Sequence, residues 1–371
     1  MVKSYKTVII GGGLAGLTSA YTLAKSGHHV LLIEKRKYPF HRVCGEYLSN
    51  EVMEFLQREQ LLPTGYDFPC MNSFLFSDTS GRSTSIALDL GGIGISRYVL
   101  DEYLFQKIIE KGAEVKTGVQ VTSVLFDEVE NRFRLELTGG EFILGDYVIG
   151  AFGKRSKVDK VLQRHFMKKR SPYIGVKYHI KTDFDRSAVG LHNFEGGYCG
   201  LNAIEDGKAN FCYLGNRDQL RKYGSIEQME REVLWKNPNI KHLFNESEFL
   251  FERPEVINEI NFERKAPVEK HILMAGDAAG LITPLFGNGM AMAIQSGKFA
   301  AEAILLGKSR IEIEKSYERN WKSIFAQRLW LGRIVQKVIG YKVTSFFMKN
   351  LIQHAPAVAN QIIQNSHGKP F

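Results

Sequence analysis

The hydrophobic pattern of the first 34 residues changes period twice. Thr7 to Ile10 is an unbroken β-branched run, which favours a buried strand. Leu17, Ala20, Leu23 and Ala24 then recur at helical spacing until Gly27 stops the helix. Val30 to Ile33 is a second buried strand, and Glu34 closes it. Farther on, the spacing predicts a helix from about Ser49 to Glu59 and a hairpin over Asn72 to Leu88 turning at Ser80-Gly81. An amphipathic helix is predicted over Tyr98 to Lys111, with Leu100, Leu104, Ile108 and Ile109 on one side and Gly112 ending it. Val115 to Val148 offers three strands, with turns near Asn131 and Gly139-Gly140. Tyr173 to Tyr213 alternates as antiparallel strands do. Ser225 to Trp235 and Ile240 to Phe244 read as helices. His271 to Gly280 reads as another strand and turn, Asn288 to Leu306 as a strong helix, and the chain from Glu312 onward as helical. The α/β signals stand at both ends with a β-rich stretch between them, so the domains are discontinuous. One is predicted over residues 1–70, 93–170 and 265–310, a second over 71–92 and 171–264, and a helical segment over 311–371.

Between the first strand and its helix, Gly11, Gly13 and Gly16 fall in the G-x-G-x-x-G spacing of a dinucleotide-binding turn. Gly11 permits the tight turn, Gly13 lets backbone approach a pyrophosphate, and Gly16 lets helix and strand pack closely. The helix that follows begins with free N–H groups and a partial positive charge, which suits phosphate. Glu34 sits where a carboxylate accepts hydrogen bonds from the ribose hydroxyls of an adenosine. Lys3 and Lys6 before an apolar run also open a secretory signal. Three consecutive glycines make a poor signal core, and the pattern continues in register to Glu34, which favours the nucleotide reading.

The chain has 371 residues, with 24% charged and 44% hydrophobic, a globular composition. Cys44, Cys70, Cys199 and Cys212 form no C-x-x-C pair and no metal-ligand cluster. Without an export signal they read as reduced thiols of a cytosolic protein. The net charge is +9, and Lys308 to Lys349 holds ten Lys/Arg against three Glu. Such a balance suits nucleic acid, an anionic membrane surface or an anionic substrate. No nucleic-acid-binding signature accompanies it.

Three separated segments resemble the flavoprotein family that holds geranylgeranyl reductases, flavin-dependent halogenases and aromatic-ring hydroxylases. They are the glycine turn, GAFGKRSKV at Gly150 to Val158, and AGDAAGLITPLFGNGM at Ala275 to Met290. The resemblance implies a Rossmann-type FAD-binding domain interrupted by a mostly antiparallel sheet domain that covers the flavin, with a helical tail. It implies FAD as cofactor, held by Gly11, Gly13, Leu14, Ala15, Gly16, Glu34, Lys35, Arg36, Val121, Gly153, Gly276 and Asp277. Asp277 would bond the ribityl chain. Pro284, Gly287, Asn288, Gly289 and Met290 would lie beside the isoalloxazine, where helix amides stabilise the anionic reduced ring.

Similarity is greater to the geranylgeranyl reductase branch. YPFHRVCGEYLS resembles its P-x-x-x-x-C-G loop, which brings in Cys44, and ISRYVLDEYL resembles its R-x-x-L-D-x-x-L segment, which brings in Arg97. Arg36 and Arg42 are expected on the adenosine or diphosphate side. The reductases and halogenases carry a strand with Trp and Pro facing the flavin. The corresponding stretch here, Gly197 to Leu214, has neither.

For catalysis the candidates are Cys44, Glu46 and Tyr198. Cys44 reads either as a flavin-facing thiol near Arg42 and a helix start or as a small residue where the loop turns. Glu46 reads as a proton donor or, by the usual exposure of Glu, as a solvated loop carboxylate. His41 reads as a solvated loop histidine, and His179 and His192 as satisfied sheet histidines. Tyr198, flanked by glycine, reads as pocket lining. The implied activity is a reductase or dehydrogenase of an apolar isoprenoid or polyene, by hydride transfer from flavin N5. The alternatives are a monooxygenase, whose reduced flavin meets oxygen in a dry pocket, and a non-catalytic flavin-binding scaffold. Electrons would come from NAD(P)H or a redox protein. The aromatic and basic C-terminal helices are read as packed on the domain, with peripheral membrane contact as the alternative.

Overall fold

The computed structural model describes residues 2–371. Strand Lys3–Ile10 lies at the centre of the first sheet, parallel to Val30–Glu34 on one side and Phe142–Gly150 on the other. Glu114–Thr117 and Ile272–Met274 extend it in parallel on opposite flanks. Val8 to Ile10 and Leu31 to Ile33 are covered on both faces, which is why they read as continuous apolar runs. Helix Leu14–Ala24 is buried all round rather than along one stripe. Helix Gly289–Leu305 packs against it, and Ser19 Oγ donates to the Gly297 carbonyl at 2.8 Å. The stretch expected to hold three strands after Gly112 holds Glu114–Thr117, Val121–Asp127, Arg132–Leu137 and the start of Phe142–Gly150. In helix Arg97–Glu110, Leu100, Leu104 and Ile108 point inward, but Ile109 is 46% exposed. Adjacent helical residues lie 100° apart, so Ile108 and Ile109 do not share a face.

The second sheet runs in the order Glu248–Phe249, Tyr173–Lys181, Ala209–Asn216, Gly197–Ala203, Ala188–Phe194, Cys70–Ser77, Ser83–Gly94 and Tyr47–Ser49. Ala188–Phe194 and Cys70–Ser77 are parallel, and the other neighbours are antiparallel. The helix expected from Ser49 instead begins as a tight turn at Asn50 and becomes α-helical over Met53–Arg58, because Tyr47–Ser49 is drawn into the sheet. Ile174, Val176, Ile180 and Phe211 face the helices between Arg217 and Glu246 and form one apolar layer with them. Strand alternation therefore turns Lys177, His179, Asn210 and Cys212 to the opposite face, toward the first sheet. Helices Arg310–Val338, Lys342–His354 and Pro356–Ser366 complete the chain. Among the described residues no helix is long and apolar enough to cross a membrane.

Candidate functional site

Three glycine-bearing segments meet at the C-terminal end of strand Lys3–Ile10. Ile10 pairs with Gly150, and Gly150 pairs with Met274. Gly11 has φ +107°, and a Cβ there would collide with the Ala151 carbonyl oxygen. A Cβ on Gly16 would collide with the Gly11 carbonyl oxygen. Gly13 differs: a Cβ there would meet only the Arg97 guanidinium, at 3.7 Å. No side chain caps the N-terminus of helix Leu14–Ala24, so the amides of Leu14, Ala15 and Gly16 are free to meet an anion. Gly276 packs on Ala15, while Gly153 and Gly45 border open space.

A buried charge cluster stands beside this turn. Glu34 Oε2 accepts from the Gly12 amide at 2.8 Å, and Oε1 from the Arg36 amide at 3.0 Å. Arg42 donates to the Gly12 carbonyl at 3.0 Å, to Glu34 at 3.3 Å and to Asp101 at 2.9 Å. Arg97 grips Asp101 through two bonds of 2.6 and 2.8 Å. Burial works against the charge of Arg97, but Asp101 and the neighbouring Cys44 hold it, and its pKa is raised. Tyr38 donates to the Gly12 carbonyl and stacks on Phe105. Lys35 is exposed, and Val121 is buried opposite Leu137 in the core of the first sheet.

Glu46 corrects the expectation of a solvated carboxylate. It is fully buried, at φ +53° in the left-handed region. Its Oε1 accepts from the Arg97 amide at 2.8 Å and from Lys177, itself fully buried, and its Oε2 contacts His179 Nε2 at 2.6 Å. Burial alone would raise its pKa, but the Lys177 charge and the His179 bond outweigh burial and lower it to about 2. Asn210 donates to the Gly45 carbonyl at 2.9 Å and Lys177 to the Arg42 carbonyl at 3.1 Å, so the sheet grips the whole 42–46 loop. His41 is half-buried rather than free in the loop. It stacks on Tyr98, meets His179 edge-on at 5.0 Å, and leaves Nδ1 buried and unpaired. Burial lowers its pKa to about 4, helped by Lys177 and His179. His192 is a satisfied sheet histidine bonded to Ser77 at 2.9 Å.

On the same sheet face Tyr198 is 4% exposed, and its hydroxyl is buried without a hydrogen-bond partner, beside Thr283 and the Leu285 backbone. Burial raises its pKa, which keeps the hydroxyl protonated. Tyr198 thus looks onto the turn that begins at exposed Pro284. In that turn Gly287 (φ +68°) lies against the Tyr47 ring, and Asn288 is buried with Nδ2 on the Ser366 carbonyl and Oδ1 unpaired. Gly289 starts the next helix without a side-chain cap and with Met290 buried behind it. Asp277 is half-buried, and its backbone carbonyl accepts from Lys265 at 2.7 Å. A cavity of about 210 Å³ opens beside Tyr47, between Leu90 and the C-terminal tail. An open backbone at Gly13, Gly45 and Gly153, two uncapped helix N-termini and unpaired polar atoms on Tyr198 and Asn288 form a cradle that suits a flavin dinucleotide.

Lys177, Asp101, Asn202 and Asn210 escaped the sequence reading. Asp101 was visible as the residue four after Arg97 on one helix face, and Lys177 as a cation at an inward position of an alternating strand. Asn202 and Asn210 gave no signal, because only the folded sheet brings them to the loop.

A family described as an FAD binding domain matches residues 4–322. The digeranylgeranylglycerophospholipid reductase of Methanosarcina acetivorans is 28% identical over 91% of this chain and 85% of its own length. That of Methanocaldococcus jannaschii is 27% identical over 86% of this chain and 82% of its own. Among solved structures, a geranylgeranyl bacteriochlorophyll reductase-like protein from Thermoplasma acidophilum superposes with a TM-score of 0.80 at 19% identity, covering 99% of this chain and 96% of its own. A flavin-dependent brominase superposes at 0.77 with 20% identity, covering 98% and 93%.

Proposed function

The chain belongs to the FAD binding domain family and is an FAD-dependent oxidoreductase, and from that premise we propose that it is a reductase of an apolar, isoprenoid-like substrate. The observation that carries the substrate class is an apolar cluster beside Tyr198. Leu191 and Leu214 from the second sheet, Leu281 from the cofactor turn, and Ile339 and Ile352 from the C-terminal helices close together there. Two of the relatives above are named for reduction of a geranylgeranyl lipid, which supports the same class. Bound flavin supplies the hydride chemistry.

The residues divide the remaining work. Glu34 would hold the adenosine ribose, while Gly13 and the amides of Leu14 to Gly16 would face the diphosphate with Arg97 and Arg42 close by. Asp277 would meet the ribityl chain, and the amides of Gly287 to Met290 the pyrimidine edge of the ring. Glu46, kept ionised by Lys177 and His179, has no proton to give at neutral pH. It is a positioning residue for the Cys44 loop and for the start of helix Arg97–Glu110. The candidate proton donors toward the reacting face are the Tyr198 hydroxyl, which burial keeps protonated, and Cys44.

A monooxygenase reading has one observation in its favour: the sheet face toward the cofactor is polar, with Asn202 and Asn210 buried in it. Anaerobic reduction followed by readmission of air separates the two. A reductase reoxidises slowly and transfers its electrons to an isoprenoid acceptor without oxygen. Oxygen consumed stoichiometrically with substrate would overturn the reductase reading.

A further inference from the structure

From Arg319 to Phe371 the chain carries eight Lys/Arg and no Asp or Glu. This segment forms the C-terminal part of helix Arg310–Val338 and the two helices after it. Their inner positions are accounted for: Trp321, Phe325 and Leu329 pack on the cofactor domain, and Ile339 and Ile352 close the apolar cluster beside Tyr198. The outer positions are not. Trp330, Ile334 and Val338 recur at four-residue steps on the solvent side of the long helix, and Val343, Phe346 and Phe347 follow on the next. Trp330 is 52% and Phe347 66% exposed. A solvent-facing helix side is normally polar, so an apolar stripe there calls for a partner.

Charge selects the partner. Lys337 and Lys342 are exposed, and Lys349 and Arg333 half-exposed, along the same stretch. Arg82, from the hairpin of the second sheet, stacks 5.3 Å over the Phe346 ring. The acidic groups from packed elements are committed elsewhere: Asp78 is 2% exposed and bound to Arg82, and Asp89 accepts from Gln364. A second copy docking by two-fold symmetry would set these cations against their own equivalents. An anionic bilayer meets both features, taking aromatic and aliphatic side chains into its interface and lysine stems with their charges toward lipid phosphates.

We propose that the Trp330–Phe347 face docks the protein on an anionic phospholipid bilayer, at the outer wall of the apolar cluster that Ile339 and Ile352 close from within. An apolar substrate then reaches that cluster from lipid rather than from water.

The test is sedimentation of the flavin-loaded protein with vesicles, which reads binding without turnover. One set is phosphatidylcholine alone, and the other contains about a third phosphatidylglycerol, enough for a negative surface potential. The protein should pellet with the anionic set, remain in solution with the neutral set, and release as salt rises. Trp330 fluorescence should shift to the blue on binding and lose that shift in Trp330→Phe. Phe347→Ser, at a site too exposed to endanger folding, should weaken binding about tenfold, and Phe346→Ser/Phe347→Ser further, with the flavin spectrum and melting temperature retained. Absence of binding to anionic vesicles would overturn the proposal, as would undiminished binding by the Phe347 variants. A dimer that these variants convert to monomer, with no vesicle binding, would assign the face to a second copy instead.

Discussion

Glu46 keeps its charge inside the protein with Lys177 on one carboxylate oxygen and His179 on the other. A glutamate between a glycine and a tyrosine in a cationic loop has every local reason to be solvated. It is buried because Lys177, far along the chain, arrives with the opposite charge, and His179 meets its other oxygen. Removing one member of such a pair leaves a bare buried charge, so Glu46→Gln should destabilise by about 3–5 kcal/mol in denaturant unfolding. Glu46→Gln/Lys177→Met should recover much of that loss. The sign with pH follows from the lowered carboxyl pKa. The stabilisation is complete above the ordinary carboxylate range near 4.5 and is lost as pH falls toward 2. Tyr198 predicts the opposite pattern. Its buried hydroxyl has no partner, so Tyr198→Phe should leave stability unchanged or raise it by about 1 kcal/mol, while kcat falls. Loss of stability together with unchanged turnover would make the tyrosine a packing residue.

At the scale of elements, the glycine turn was legible because each requirement is local: a strand, a tight reversal, a helix start and a second strand within 34 residues. The two glycines within it still separate by experiment. Gly16→Ala drives a Cβ into the Gly11 carbonyl and should cost about 3 kcal/mol of stability. Gly13→Ala meets only a flexible guanidinium end, so it should fold with near-normal stability and lose FAD affinity by at least about tenfold. If both variants lose only stability, Gly13 has no part in the cofactor cradle. Between the second sheet and its helices the sequence hid another polar element. Glu230 accepts from Tyr178 and Tyr213, each at 2.9 Å, inside an otherwise apolar layer. Burial raises its pKa from 4.5 to about 7 against those hydrogen bonds. The folded state therefore holds a proton that the unfolded chain releases near 4.5, and stability falls as pH rises from there through 7. The full span is about 3 kcal/mol, and Glu230→Gln should flatten that slope in a pH series of melting curves.

Across the whole molecule, what the sequence revealed and what it concealed divide by distance along the chain. Period and turn chemistry located both sheets and the long helices, but no local pattern tells that residues 366–371 return to the cofactor turn. There the Gly368 amide donates to Glu51 Oε2, the Phe371 amide to the Glu51 carbonyl at 3.2 Å, and Asn288 to the Ser366 carbonyl. Glu51 is 1% exposed, and Arg328 of the long helix reaches it at 3.4 Å. The tail thus ties the helical segment to Asn288, in the turn that would face the flavin ring. A chain ending at Asn365 leaves Glu51 with Arg328 alone, takes the acceptor from Asn288 and opens the cavity beside Tyr47 to water. Each orphaned buried group costs about 1–3 kcal/mol. The shortened protein should melt several degrees lower and release FAD about tenfold faster, read as the return of free-flavin fluorescence after dilution. Phe371→Ala keeps the backbone bonds and removes only the ring packed on Phe55, so it should retain FAD like the full chain. Equal FAD release from the shortened and full chains would show that the tail merely covers the surface and that the cofactor turn is rigid without it.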